Sequence, residues 1–516
     1  MKRRSFVKNV SLASAAAPFV LKDINFQPIA KKLFNYSKMA EGRVLVIIRL
    51  NGGNDGLNTV IPVDQYANLV VQRSNIVIPE TSILPITAEV GFHPVMTGMR
   101  NMFNDGKLSI IQNVGYPEQN RSHFRSMDIW TSGSMDISET RGWLGSDFDN
   151  HYPNYPNDYP NATYPDPFAI SMGFEVSATC QGLMGNFSHA ITDPFASFNL
   201  ANGNAVNDGT YFGSHMEYIQ TLIDQTNQYG DQINAAANAG NTLSTLYDDN
   251  NPIAVQLRYV AQMISGGLQS KVYILNINGF DTHDAQVLMT DPTLGTHADL
   301  LKTLSDAVEA FQDDLNLLGL EQKVAGMTFS EFGRQIASNA SYGTDHGDAA
   351  PMFLFGACIN SGIIGPNPTV TDQLVNQAGN EMMIDFRDVY ASILKDWFQV
   401  DPVEIQPLFE HTISYVDVLG ACNVGLDEEQ KDESNLLVYP NPARSSATLK
   451  LDCKDEWVKA EICDLQGRSV GVVCDRQLTP GTHSIPMDIS HLSQGHYVIK
   501  VYKYSGIASI KFQKLK

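Results

Sequence analysis

Four segments are dominated by consecutive apolar residues rather than by alternation: residues 43–50 (RVLVIIRL), 108–114 (LSIIQNV), 271–277 (KVYILNI) and 323–329 (KVAGMTF). A strand with one wet face alternates apolar and polar side chains, so a near-continuous apolar run implies a strand covered on both faces. These segments therefore predict an α/β fold built on a mainly parallel sheet flanked by helices. One such helix is legible in residues 297–318. There Leu300, Leu301, Leu304, Val308, Phe311, Leu315 and Leu318 recur at helical spacing and give one apolar face to lay on the sheet. Residues 149–250 are rich in Tyr, Pro, Asn and Gly, with Tyr-Pro steps at Tyr152-Pro153, Tyr155-Pro156, Tyr159-Pro160 and Tyr164-Pro165. They read as loops plus a helical insertion at about 150–260 within a core spanning 40–425.

At 516 residues the chain is longer than one hydrophobic core usually organises, which predicts more than one domain. A net charge of −21 opposes broad contact with polyanions, so nucleic acid is not an expected partner. Carboxylates are also the usual ligands of hard divalent metals, and the acidic balance is compatible with a local cation site. The six cysteines follow no zinc-ligand spacing. Cys453, Cys463 and Cys474 cluster near the end, where one bridge or buried thiols both remain open.

The two ends differ from this body. Met1-Lys2-Arg3-Arg4-Ser5-Phe6-Val7-Lys8 places paired arginines before an aromatic residue and a mildly apolar run from Val10 to Leu21. Residues 1–30 resemble a twin-arginine signal peptide, which implies export of an already folded protein by the twin-arginine machinery. No later stretch approaches the length of a bilayer span, and no transmembrane helix is expected in the mature protein. Near the other end, residues 426–435 form an acidic, polar linker. After it, short alternating runs such as Thr448-Leu449-Lys450-Leu451 and Tyr497-Val498-Ile499-Lys500-Val501 are separated by turn residues, which predicts a small antiparallel β-sandwich over 436–516. Val438-Tyr439-Pro440-Asn441-Pro442-Ala443, Asp464-Leu465-Gln466-Gly467-Arg468, Leu492-Ser493-Gln494-Gly495-His496-Tyr497-Val498 and the final Lys514-Leu515-Lys516 resemble the type A C-terminal sorting domain of the type IX secretion system. That resemblance implies handling by the type IX machinery after the periplasm, and a secreted or outer-surface location.

In open α/β sheets chemistry gathers beyond the carboxyl ends of the strands. The first predicted strand runs into Asn51-Gly52-Gly53-Asn54-Asp55-Gly56, where Asp55 offers a carboxylate. The second leads to Asn120-Arg121-Ser122-His123-Phe124-Arg125-Ser126, whose arginines, histidine and hydroxyls suit an anionic ester. The third ends in Asp281-Thr282-His283, a carboxylate and an imidazole two residues apart on extended chain. The fourth is followed by Ser330-Glu331-Phe332-Gly333-Arg334 and then by Thr344-Asp345-His346-Gly347. Two Asp/His pairs after successive strands point to a divalent metal site.

These motifs occur in the order found in the domain of unknown function 1501 family, and the chain resembles that family over most of residues 40–420. The family is similar to the alkaline phosphatase and sulfatase superfamily, so the resemblance implies an alkaline-phosphatase-like core. It further implies a divalent metal (Zn, Mg, Ca or Mn) held by Asp55, Asp281, His283, Glu331, Asp345 and His346. Ser122, His123, Arg125 and Arg334 would be the catalytic groups, with Ser122 as nucleophile. The chain departs from the superfamily where Asn51 stands directly after the first strand and Asp55 lies four residues on. No late histidine is evident beyond His411, and no Cys-x-Pro-x-Arg motif supports a formylglycine nucleophile. The expected function is a secreted, metal-dependent hydrolase of phosphate or sulfate esters, acting on an anionic ester or polysaccharide. The alternative is a non-catalytic surface or glycan-binding protein that retains the fold.

Overall fold

The computed structural model describes residues 42–196, 200, 208–375, 377–420, 436–453, 456–463, 469–503 and 506–515. The expected leader, the linker at 426–435, the Asp464-Leu465-Gln466-Gly467-Arg468 motif and Lys516 lie outside them. The chain divides into two compact units, Met1–Asn423 and Val424–Lys516.

A nine-stranded sheet organises the first unit. Its strands are β1 (Val44–Asn51), β2 (Leu108–Gly115), β3 (Ala169–Met172), β4 (Ser188–Ile191), β5 (Val272–Asn278), β6 (Val324–Phe329), β7 (Ala350–Phe355), β8 (Gly362–Ile364) and β9 (Ile384–Asp385). The order is β8-β2-β7-β6-β1-β5-β3-β4, with β9 paired to β2. All pairings are parallel except those of β7, which runs antiparallel to both β2 and β6. Parallel neighbours need a crossover, usually a helix; residues 330–349 between β6 and β7 contain none, and the chain returns in the opposite direction.

Both faces of the sheet are buried, as the unbroken apolar runs require. Along β1, Leu45 and Ile47 enter one core, while Val44, Val46, Ile48 and Leu50 enter the other. The first core is covered by α2 (His123–Ser132), α3 (Trp143–His151) and α7 (Phe386–Ser392). The second is covered by α1 (Thr97–Asn104), the end of α4 (Tyr211–Ala239), α5 (Pro252–Ser265) and α6 (Thr296–Leu317). Local sequence sets these helices. The Asn251 side chain accepts from the backbone N–H groups of Ile253 and Ala254 at the start of α5, and Pro252 takes the first turn, where no N–H is needed. On α6 most of the expected apolar stripe is fully buried, with Leu301, Leu304, Val308, Phe311 and Leu315 each at 0–1% exposure, while Leu300 and Leu318, just past the helix end, are half-buried. Burial of each such side chain contributes about 1.5–3 kcal/mol.

One packing contact positions the site. Trp130 of α2 stacks on Phe329 at the end of β6 (5.4 Å) and on Phe386 of α7 (4.3 Å). This pins α2 over the sheet, so that its first residue, His123, stands at the carboxyl edge of the strands.

The second unit is two antiparallel sheets around one core. One contains β10 (Leu437–Tyr439), β11 (Ser446–Cys453) and β14 (Gly481–Asp488). The other contains β12 (Glu456–Cys463), β13 (Ser469–Leu478), β15 (Gly495–Lys503) and β16 (Gly506–Lys514). Alternation is clean here: Ala447, Leu449 and Leu451 point inward while Thr448 and Lys450 between them do not. Cys474 of this unit keeps a buried thiol, whereas Cys358 of the first unit is disulfide-bonded. Among the described residues no helix is long and apolar enough to cross a membrane.

Candidate metal centre

Three strand ends and one helix start meet at a single point. β1 runs out into Gly52, β5 into Asp281 and His283, β6 into Glu331 and Arg334, and α2 begins at His123. Close passage of the β1 and β5 loops depends on Gly52, whose φ is +124°. A Cβ there would lie 2.2 Å from the Asp281 nitrogen and 2.6 Å from the Phe280 carbonyl carbon. Beneath them Arg334 is 1% exposed and serves as a brace. Its Nε donates to the Gly53 carbonyl (2.7 Å) and its Nη1 to that of Thr344 (2.9 Å). Nη2 donates to the carbonyls of Gly52 and Phe280 and to Asp281 Oδ1 (2.7 Å). One guanidinium thereby ties four segments together and holds the Asp281 carboxylate.

Around Asp281 stand three imidazoles, and each has its Nδ1 committed. His346 Nδ1 lies 2.8 Å from the Arg121 carbonyl, His283 Nδ1 lies 2.9 Å from Asp345 Oδ1, and His123 Nδ1 lies 2.9 Å from Glu331 Oε1. Glu331 Oε1 also accepts from the Gly52 N–H at 2.8 Å. All three partners accept, so hydrogen-bond logic assigns a proton to each Nδ1, and in the neutral ring this leaves the lone pair on Nε2. Those Nε2 atoms converge. His346 Nε2 is 3.1 Å and His283 Nε2 is 3.2 Å from Asp281 Oδ1, and the two nitrogens are 2.9 Å apart. His123 Nε2 is 3.4 Å from Asp281 Oδ2. Ligand atoms of His123, Asp281 and His346 all lie within 4.8 Å of one another.

The electrostatics keep this set in ligand form. Burial raises the Asp281 carboxyl, but the hydrogen bond and the charge of Arg334 overcome it and hold the group at about 2. The hydrogen bond from His283 lowers Asp345, and burial lowers His346. Lone pairs facing a carboxylate repel unless a cation lies between them, and the donor set of imidazole nitrogens with one carboxylate suits a divalent transition metal. The Asp281 and His283 side chains are 46% and 43% exposed, so the point of convergence is open to an incoming ligand.

Other expected site residues lie elsewhere. Asp55 does not reach the cluster. It is 1% exposed and forms a buried ion pair, with Arg73 Nη1 at 3.0 and 2.9 Å from its two oxygens, while Gln286 Nε2 donates to Oδ2 at 2.6 Å. Four residues beyond the strand, the chain has already turned into the short helix that Asp55 caps by accepting from the Leu57 N–H. Ser122 is exposed at the start of α2, and its backbone N–H is held by Asn120 Oδ1 at 2.9 Å. Arg125 is directed away, donating to the Met135 carbonyl at 2.6 Å. His411 pairs with Asp388 (2.9 Å) and is not among the converging groups. Glu331 and Asp345 contact Nδ1 atoms, on the far side of the imidazole rings from the convergence. Sequence reasoning missed Gln286, whose Oε1 accepts from Thr282 Oγ1 (3.1 Å) and Thr344 Oγ1 (2.8 Å). Thr282 stands between Asp281 and His283, and Thr344 directly precedes Asp345. Only burial distinguishes this glutamine, and no spacing rule would have found it.

Comparison with protein-family models matches residues 216–409 to a protein of unknown function (DUF1501) and residues 437–514 to a secretion system C-terminal sorting domain. No curated protein matches the chain. Among solved structures, it is similar to a protein in the alkaline phosphatase superfamily from Vibrio parahaemolyticus, with 10% identity, 96% of this chain and 90% of that chain covered, and a TM-score of 0.37. It is also similar to a phosphonate monoester hydrolase from Silicibacter pomeroyi (10% identity, 91% and 88% covered, TM-score 0.30). A third is a sulfatase from Pseudoalteromonas sp. (9% identity, 88% and 84% covered, TM-score 0.31). Likenesses at these scores carry no argument about the site. The terminal match is to the tag read by the type IX secretion machinery, which takes its cargo to the cell surface or outside. Residues 216–409, which carry Asp281, His283, Glu331, Arg334, Asp345 and His346, thus match the model of a protein family of unknown function (DUF1501), and residues 437–514 match that of a secretion system C-terminal sorting domain.

Proposed function

We propose that this chain is a secreted, metal-dependent hydrolase of phosphate or sulfate esters. The observation that carries the reading is the shared arrangement of His123, His283 and His346: each Nδ1 faces an acceptor and each Nε2 faces Asp281. These four residues would hold one divalent ion, and three imidazoles suit zinc better than magnesium or calcium. When bound, such an ion polarises an ester oxygen and makes a coordinated water acidic near neutral pH. Glu331 and Asp345 orient the rings of His123 and His283 rather than binding the ion. Arg334 keeps Asp281 ionised and in place. Ser122, exposed and adjacent to His123 in the chain, offers a hydroxyl nucleophile.

One observation favours the second reading, a non-catalytic surface or glycan-binding protein that retains the fold. Arg121, Arg125 and Arg334 all donate to protein acceptors, so none of the three is uncommitted toward an oxyanion. The two readings separate by experiment. Metal content of the purified protein is measured by mass spectrometry, and the metal-loaded protein is assayed against phosphomonoester, phosphodiester and sulfate ester substrates beside Asp281→Ala and Ser122→Ala. The hydrolase reading expects one ion per chain and turnover that Asp281→Ala abolishes. Bound metal without turnover on any ester selects the second reading. Absence of bound metal removes the hydrolase reading and leaves the second.

A further inference from the structure

Every described arginine of the first unit donates a hydrogen bond to a protein acceptor, with two exceptions, Arg49 and Arg100. Arg100 lies on α1, against the second core. Arg49 lies near the carboxyl end of β1, in register with Asn276 of β5 and Phe329 of β6. Its Nε is buried without a hydrogen-bond partner, and burial lowers its pKa. The charges that act on it are those of Glu331, which holds His123, and Glu175, just past the end of β3. Two residues along the same strand face stands Asn51, whose amide donates to Asn278 Oδ1 at 2.6 Å while its own Oδ1 is buried without a partner.

Two polar atoms without partners, Arg49 Nε and Asn51 Oδ1, therefore lie on one face of β1, and Asn51 adjoins Gly52, whose N–H is held by the same Glu331 that contacts His123. Arg49 is half-buried, and its buried Nε recovers the hydrogen bond it loses with water only from an acceptor brought to it. The planar fork of arginine matches the paired oxygens of a tetrahedral oxyanion. We propose that Arg49, with Asn51 beside it, is the anion subsite of this centre, holding the non-reacting oxygens of a phosphate or sulfate group while Asn51 Oδ1 accepts from a neighbouring hydroxyl of the ligand. This rests on the reading of the cluster as a metal-dependent ester site, and it supplies the cation that Arg121, Arg125 and Arg334 do not.

The test is calorimetric titration of the metal-loaded, full-length protein with inorganic phosphate, inorganic sulfate and 4-nitrophenyl phosphate, for the wild type, Arg49→Met and Arg49→Lys, with metal content and thermal midpoint measured on each. Arg49→Met is expected to weaken binding of these anions about 10- to 100-fold with metal content unchanged. Arg49→Lys is expected to fall between, since it keeps the charge and loses the fork. Tight 4-nitrophenyl phosphate beside weak inorganic anions assigns the subsite to an ester, and the reverse assigns it to the free anion. Equal affinity in wild type and Arg49→Met, or no anion binding by metal-loaded wild type, overturns the proposal while leaving the metal centre in place. If the wild type takes up no metal, the function reading fails, and the same titrations on the metal-free protein decide Arg49 on its own.

Discussion

The Nε2 atoms of His283 and His346 stand 2.9 Å apart, while their Nδ1 atoms face Asp345 Oδ1 and the Arg121 carbonyl. With the proton of each ring on Nδ1, the two Nε2 lone pairs face each other, an arrangement that a cation between them would relieve. The outer acceptors decide which nitrogen is presented, and they should therefore tune affinity rather than create it. Asp345→Ala and Glu331→Gln are expected to lower metal affinity by about 10- to 100-fold at unchanged stoichiometry, in competition with a chromophoric chelator. Asp281→Asn and His346→Gln, which remove a converging donor, should lower the stoichiometry itself. If Asp345→Ala were to lose the ion outright, the division between inner and outer groups drawn here would be wrong.

Asp55 provides the contrasting case. Its partner Arg73 is fully buried at 0% side-chain exposure, so removing the carboxylate strands a charge in the interior. Asp55→Ala is expected to destabilise the first unit by about 3–5 kcal/mol in chemical denaturation, with one ion per chain still bound. An Asp55→Leu, Arg73→Met double variant should recover much of that loss, because the desolvation of both charges goes with them. A fall in metal stoichiometry at full stability would return Asp55 to the ligand set.

How far the sequence reached follows from what each feature depends on. β1, β5 and β6 were legible because burial on both faces demands uninterrupted apolar residues. β3 and β4, at four residues each, are too short to show any period. The reversed direction of β7 depends on the absence of a helix between 330 and 349, a fact about connection rather than composition. Asp281-Thr282-His283 and Asp345-His346 stood out as carboxylate and imidazole pairs after strands. Whether Asp345 meets a metal or a ring nitrogen depends on a rotamer, which no motif encodes. Asp55 was misleading for a similar reason: its position near a strand end is visible, but the arginine that closes on it stands 18 residues away in another helix.

Gln286 joins the parts of the site that the motifs list separately. Its amide donates to Asp55 Oδ2 (2.6 Å) and its carbonyl accepts from Thr282 and Thr344, so one side chain links both Asp/His loops to the buried ion pair. Gln286→Leu leaves the two hydroxyls without their acceptor, at about 1–3 kcal/mol for each group left unsatisfied, and leaves Asp55 Oδ2 with Arg73 alone. The expected result is a lower thermal midpoint together with weaker metal binding. Gln286→Glu should be more damaging near neutral pH, since it sets a second carboxylate against Asp55, and its midpoint should recover on acidification. Thermal melts of both variants at pH 5 and pH 8 check the ordering.

Asp147 on α3 is a buried carboxyl whose two oxygens lack a hydrogen-bond partner; its nearest cationic neighbour is His151, at 3.5 Å. Burial raises it from an ordinary 3.8 to about 6. The sign follows from linkage. Between those two values the unfolded chain has released the proton while the folded chain keeps it, so stability falls as pH rises through that window and is lowest above about pH 6. The displacement corresponds to about 3 kcal/mol between pH 3.8 and pH 7. Asp147→Asn, which cannot ionise, should remove this slope: the stability of the variant relative to wild type is expected to rise across pH 4 to pH 6 and then level off, measured by urea denaturation at each pH. A difference that stays flat over that range would mean that Asp147 is ionised in the folded protein as in the unfolded chain.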